Sequence, residues 1–88
     1  MVSKKVKIVN ATGLHLRPAG VLCETAMKYS CKITFTTNNH YEANAKSVLS
    51  VLGACVRSGE EIEITCDGDD EATALDNMVT AIESGLGE

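Results

Sequence analysis

Gly13-Leu14-His15-Leu16-Arg17-Pro18-Ala19 is the passage from a strand into a helix, and the rest of the chain can be read outward from it. Upstream, residues 3–9 alternate, with Val6 and Ile8 on one side and Lys5 and Lys7 on the other. That is the period of a half-buried strand. Asn10-Ala11-Thr12-Gly13 reads as a loop, in which Gly13 admits backbone angles that other residues resist. Downstream, from Leu16 to about Tyr29, the residues Ala19, Leu22, Cys23, Ala26 and Met27 recur at three- and four-residue intervals. They predict a helix with one apolar stripe. Pro18 suits its first turn, where a missing N–H is no loss.

Further along, Ile33 and Phe35 alternate with Lys32, Thr34 and Thr36, which predicts a strand over residues 32–37. Asn38-Asn39 signals a turn, and residues 40–43 return as a short partner strand. The tip is slightly longer than the tightest two-residue kind. Ser47 is a good N-cap for a short helix through Val48-Leu49-Ser50-Val51-Leu52, ending by Gly53 or shortly after. Ser58-Gly59 turns the chain into the clearest strand, residues 60–67, where Ile62, Ile64 and Cys66 alternate with polar residues. Asp67-Gly68-Asp69-Asp70 is a turn whose acidic residues suit a helix start. The last helix carries Ala72, Leu75, Val79, Ile82 and Leu86 on one face. The order β-α-β-β-α-β-α, with four strands and helices enough for one face, predicts an α+β two-layer domain.

The chain's 88 residues, 44% of them hydrophobic, are enough for a single domain over 1–88 with a compact core. Its one Phe and absent Trp leave that core to aliphatic side chains and Cys. A formal net charge of −4 argues against direct binding of nucleic acid, although Arg17, Lys46 and Arg57 could form a local basic patch. The N-terminus lacks the apolar core of a signal peptide, and no apolar run is long enough to span a bilayer. A cytoplasmic location without membrane insertion is the expectation. None of the four cysteines, at positions 23, 31, 55 and 66, forms a Cys-x-x-Cys pair. Small core residues are the simplest reading of them, and no metal site is expected.

His15 carries the chemistry. A histidine just before a helix faces backbone N–H groups that lack helical partners, which attract negative charge and disfavour a protonated imidazole. A neutral imidazole is a nucleophile toward a phosphoryl donor. Arg17 can grip the phosphoryl oxygens with several donors at once. Positioning and charge stabilisation do most of the work in phosphoryl transfer, so no cofactor is required. His40, in the hairpin tip, has no such surroundings.

These residues resemble a known signature. Gly13-Leu14-His15-Leu16-Arg17-Pro18-Ala19 is closely similar to the active-site motif of the HPr family, the histidine-containing phosphocarriers of the phosphoenolpyruvate-dependent sugar phosphotransferase system. The length, the element order and the closing Gly85-Leu86-Gly87-Glu88 also resemble members from Gram-positive bacteria. The resemblance implies an open-faced β-sandwich: a four-stranded antiparallel sheet with three helices on one face. It implies that His15 accepts a phosphoryl group on Nδ1 from phosphorylated enzyme I and passes it to enzyme IIA domains, with Arg17 as the stabilising partner. It implies a carrier, monomeric and without turnover of its own, rather than an enzyme.

A second segment, Asn44-Ala45-Lys46-Ser47-Val48-Leu49, resembles the regulatory serine segment of Gram-positive members. By that resemblance Ser47 is the target of HPr kinase/phosphorylase, and the serine-phosphorylated form is a partner of the catabolite control transcription factor. Leu16, Arg17, Lys46, Val48 and Leu49 are then the partner-binding residues. Three departures stand out: hairpin residues 37–42 are one residue longer than usual, which moves the serine motif one place along; Leu16 takes the place of smaller residues; and Ala54-Cys55 replaces a Leu-Gly pair, so a different helix exit is expected. Two other readings compete. One is a regulatory binding module acting mainly through Ser47 phosphorylation and a transcription-factor partner. The other is a thiol or metal protein using the cysteines and histidines.

Overall fold

The computed structural model describes residues 1–87, so the final Glu88 of the closing segment lies outside the described residues. Its elements are β1 (Val2–Lys7), α1 (Leu16–Ala26), β2 (Lys32–Thr36), β3 (Glu42–Asn44), α2 (Val48–Gly53), β4 (Glu61–Asp67) and α3 (Glu71–Glu83). The order is the one the periodicities predict. The strands form one sheet in the order β1-β4-β2-β3, antiparallel throughout. With three helices beside it, this is the open-faced β-sandwich.

The register explains why only one face is covered. Val6 lies opposite Ile62, Phe35 opposite both Ile64 and Ala43, and Ile33 opposite Cys66. All of these are buried. The alternate positions put Lys5 opposite Glu63, Lys7 opposite Glu61 and Lys32 opposite Asp67. Opposed charges of this kind each favour the register by a few tenths of a kcal/mol, about 0.2–1. A slip of one residue would exchange the two faces wholesale. On the covered side α3 packs on β1 and β4, α2 packs on β3, and α1 packs between α2 and α3.

The helices depart from expectation at their ends. α1 stops at Ala26 rather than near Tyr29, and Met27 is an exposed C-cap outside the apolar stripe. The chain there leaves the helix in a turn, with Lys28 N–H donating to Thr25 and Tyr29 N–H to Ala26. In α3 the buried face is Ala74, Met78, Val79 and Ile82, while Ala72 is exposed and Leu75 half-buried. The stripe read from the sequence is thus rotated at the helix N-terminus. At that end the Asp70 carboxylate does not cap its own helix but accepts Ser30 N–H at 2.9 Å and Cys31 N–H at 3.0 Å. Glu71 accepts Gly68 N–H and the Met1 ammonium. These bonds hold the Asp70 carboxyl below its ordinary value, the Ser30 N–H contributing most.

Three non-glycine residues use left-handed backbone: His40, Cys55 and, in the turn after α3, Leu86 at φ 50°. His40, at φ 64°, closes a three-residue hairpin tip in which Thr37 N–H donates to Tyr41. Cys55, at φ 52°, follows the C-cap Ala54 of α2. This is the conformation that glycine supplies at a helix end. The exit is therefore made in the usual way, with a cysteine carrying the strain. Among the cysteines only Cys31 and Cys66 are buried; Cys23 is half-buried and Cys55 exposed. Burial, and then each other's proximity, pushes the Cys66 thiol up to about 11.

Two measurements test this account. Cys55→Gly should stabilise the protein by about 1 kcal/mol in urea unfolding, because glycine adopts φ > 0 without the penalty. The second concerns acid. A carboxyl whose folded pKa is depressed contributes stability fully above its unfolded value, here 3.8, and loses it as pH falls through the folded value. Asp70→Asn should therefore lower stability at neutral pH and flatten the decline in stability below about pH 4.

Candidate functional site

The loop that presents His15 is fastened at both ends. The Asn10 side chain is buried and donates from Nδ2 to the Gly85 carbonyl at 2.7 Å, tying the loop to the turn after α3. Gly13 N–H closes a turn onto the Asn10 carbonyl at 3.0 Å. Leu14 N–H then donates to the Val56 carbonyl at 3.0 Å. Gly13 sits at φ 70°, and a methyl group on it would come within 2.4 Å of that same carbonyl. Only glycine meets both demands. Leu14 buries its side chain in the core and locks the orientation.

His15 follows as the N-cap residue of α1, in extended conformation with φ −74° and ψ −178°. Its carbonyl accepts Ala19 N–H at 2.9 Å and so begins the helix. Its imidazole makes no capping hydrogen bond and is exposed. The ring nitrogens are thus available to another molecule, beside a first turn whose Leu16 and Arg17 N–H groups have no helical carbonyl to bond. Pro18, third in the helix, is buried and has no N–H to satisfy. Arg17 is exposed on this first turn.

The residues around it separate into two groups. Leu16 is 62% exposed and Leu49 84%, large values for leucines in a protein with so few apolar residues on its surface. Val48 is half-buried. Lys46 extends away from His15: its ammonium donates to the Tyr29 carbonyl at 2.6 Å, beyond the C-terminal end of α1. Ser47 caps α2 as expected, its Oγ accepting Ser50 N–H at 3.2 Å. Ser50 returns the favour to the preceding strand, its Oγ accepting Asn44 N–H at 2.9 Å.

These contacts set the direction of α2. Its start lies beside the end of α1, through Lys46 and Tyr29, and its exit lies beside the start of α1, through Val56 and Leu14. The two helices run antiparallel, with His15 and Ser47 at opposite ends of the pair. Sequence reasoning placed both at helix starts and on one docking face but did not foresee this separation. It gave no role to Asn10 or Val56, because they meet the loop only through tertiary contacts; of the basic patch read from Arg17, Lys46 and Arg57, the backbone of Arg57 does meet the His15 loop, while the Lys46 ammonium turns to Tyr29. No group of three or more His, Cys, Asp or Glu among the described residues is placed to hold a metal ion.

Comparison with known proteins agrees with this geometry. The family model "PTS HPr component phosphorylation site" matches residues 2–84. The phosphocarrier protein HPr of Mycoplasma capricolum is 40% identical over 80 residues, covering 90% of this chain and 89% of its own. The HPr-like protein Crh of Halalkalibacterium halodurans is 31% identical over 83 residues, covering 94% and 98%. The crystal structure of HPr-C-His from Thermoanaerobacter tengcongensis superposes with a TM-score of 0.94 at 38% identity, covering 100% of this chain and 98% of that one. With its sheet, its helices and its exposed histidine at the first helix start, the chain belongs to the HPr family, the phosphocarriers of the phosphotransferase system.

Proposed function

We propose that His15 is the phosphoryl acceptor of a relay that runs from phosphorylated enzyme I, through this protein, to enzyme IIA domains. The observation that carries the reading is the exposed His15 imidazole, unused as a cap, at the N-terminus of α1 with Arg17 in the adjoining turn. In the forward step the Nδ1 lone pair attacks phosphorus, an N–P bond forms, and the bond from phosphorus to the donor breaks with its electron pair leaving on the donor. Arg17 and the first-turn N–H groups meet the charge on the phosphoryl oxygens. The second step is the same displacement with His15 as leaving group. Each step conserves the phosphoryl group, so the protein turns over no substrate of its own. In this reading it acts in the cytoplasm as a monomer, alongside the enzymes it relays between.

Leu16, Arg17, Val48 and Leu49 form the docking surface in this reading, and Lys46 anchors its far side. Exposed leucines beside cations suit brief, weak complexes whose encounter is steered by charge.

A second role rests on Ser47 and on the similarity to Crh. Phosphorylation of Ser47 by HPr kinase/phosphorylase would place a dianion at the start of α2, where the backbone tolerates it. Its effect would be on partners, including the catabolite control transcription factor, rather than on the fold.

Incubation with enzyme I and phosphoenolpyruvate should add one acid-labile phosphoryl group by intact mass. His15→Ala should take up none, and uptake at the wild-type rate would refute the assignment. Arg17→Ala should still be phosphorylated but slower, by roughly 10- to 1000-fold if it stabilises the transferring group. For Ser47 the informative variant is Ser47→Asn. Alanine would also remove the cap, at a cost of about 1 kcal/mol, whereas asparagine keeps a cap acceptor without a phosphorylatable oxygen. With the kinase and ATP, the wild type should gain one acid-stable phosphoryl group and the asparagine variant none.

A further inference from the structure

The chain contains only two arginines, Arg17 and Arg57, and the fold brings both to the loop that presents His15. Arg17 is in the first turn of α1. Arg57 arrives from forty residues further along, on the segment that leaves α2. A methyl group on Gly13 would stand 2.9 Å from the Arg57 Cα, so the two backbones are in contact. His15 is two residues past Gly13, a Cα separation of at most about 7 Å.

The backbone that carries Arg57 is held from several directions. The carbonyl before it accepts Leu14 N–H at 3.0 Å, its own N–H donates to Glu60 Oε1 at 2.6 Å, and its carbonyl accepts Glu60 N–H at 3.1 Å. Gly59 N–H adds a bond to the Ile8 carbonyl at 2.8 Å. The side chain, by contrast, is exposed, and its guanidinium has no ion pair among the described residues. The lysines lie elsewhere. Lys5, Lys7 and Lys32 oppose carboxylates on the open face of the sheet, Lys46 donates to Tyr29, Lys4 lies on β1 and Lys28 follows α1. In a chain of net charge −4, both arginines lie without an ion pair among the described residues on the two segments that meet at the His15 loop.

We propose that Arg57 is a specificity-determining residue of the relay, an exposed guanidinium on a rigid turn that receives carboxylates at the rim of the docking partner. This rests on the relay reading of His15. Arginine suits the task because its fork pairs with a carboxylate through two parallel hydrogen bonds. At the rim, such a pair contributes modestly to affinity, steers encounter and is screened by salt.

The test is the initial rate of phosphoryl transfer from phosphorylated enzyme I, measured against concentration of the carrier at low and at high ionic strength. Arg57→Gln should raise KM about 2- to 5-fold at low ionic strength, leave kcat unchanged, and match the wild type at high salt. Arg57→Lys should restore most of the lost KM and the salt dependence, which a merely structural role would not do. Unfolding midpoints of both variants should equal that of the wild type. If the glutamine variant equals the wild type in KM and in salt dependence, Arg57 has no such role. A fall in kcat with KM unchanged would place the guanidinium on the phosphoryl group itself and overturn the assignment to partner carboxylates. If the wild type accepts no phosphoryl group, the relay reading falls and this one with it; if the wild type accepts it and only the Arg57 effects are missing, the relay reading stands.

Discussion

The contact between Gly13 and the Val56 carbonyl holds the functional end of this protein together. With no side chain on Gly13 and a positive φ, the His15 loop lies flat on the segment leaving α2, and Leu14 N–H reaches that carbonyl. One bond thereby sets three things: the direction in which α1 starts, the antiparallel pairing of α1 with α2, and the presence of Arg57 beside the histidine. Asn10 fixes the other end of the loop on Gly85. A flexible loop would have to be ordered at each encounter, at about 1–2 kcal/mol per residue of backbone entropy. Here that cost is met on folding, so a docking partner finds the imidazole already in place.

The same economy governs charge. The protein is acidic overall, yet its cations are not scattered. The sheet opposes lysine to carboxylate across β1, β4 and β2. Asp70 and Glu71 spend their charge on N–H groups and the Met1 ammonium, where they lock α3 against β2 and β1. Arg17 and Arg57 have no ion pair among the described residues, and exposed cations on a negative molecule help steer the approach of an acidic partner.

Much of this was legible in the sequence because it is periodic or local. Alternation at Ile33–Phe35 and Ile62–Ile64–Cys66 could only be satisfied by a sheet with one buried face, and Ser47 before Val48 could hardly be anything but a cap. The heptapeptide around His15 announced a helix start, and α1 begins there with His15 as its N-cap. What the sequence hid was set by distant partners. The buried stripe of α3 runs through Ala74 and Met78 rather than Ala72, and Asp70 serves Ser30 and Cys31 rather than its own helix. Lys46, expected beside the site, is drawn to Tyr29 at the other end of α1. The expectation that Cys55 would alter the exit of α2 overlooked that a cysteine can bear a left-handed angle at a cost of about 1 kcal/mol, less than the burial and hydrogen bonding that hold the turn.

In the proposed relay, the placement of His15 also bears on why such a protein would carry a phosphoryl group instead of consuming it. An enzyme encloses its reacting atoms, because excluded water strengthens the electrostatics that lower the barrier. His15 stands exposed on a convex helix start, with cations and first-turn N–H groups on the protein's side and open space on the other. That half-site supplies only part of an environment for a transferring phosphoryl group. The other half must come from whichever protein docks, on the donating side or the accepting side. An imidazole with one fixed half-shell can serve several complementary half-shells in turn, provided none binds so tightly that it fails to leave. Exposed leucines and rim arginines, each contributing little alone, suit that requirement better than a deep cleft would.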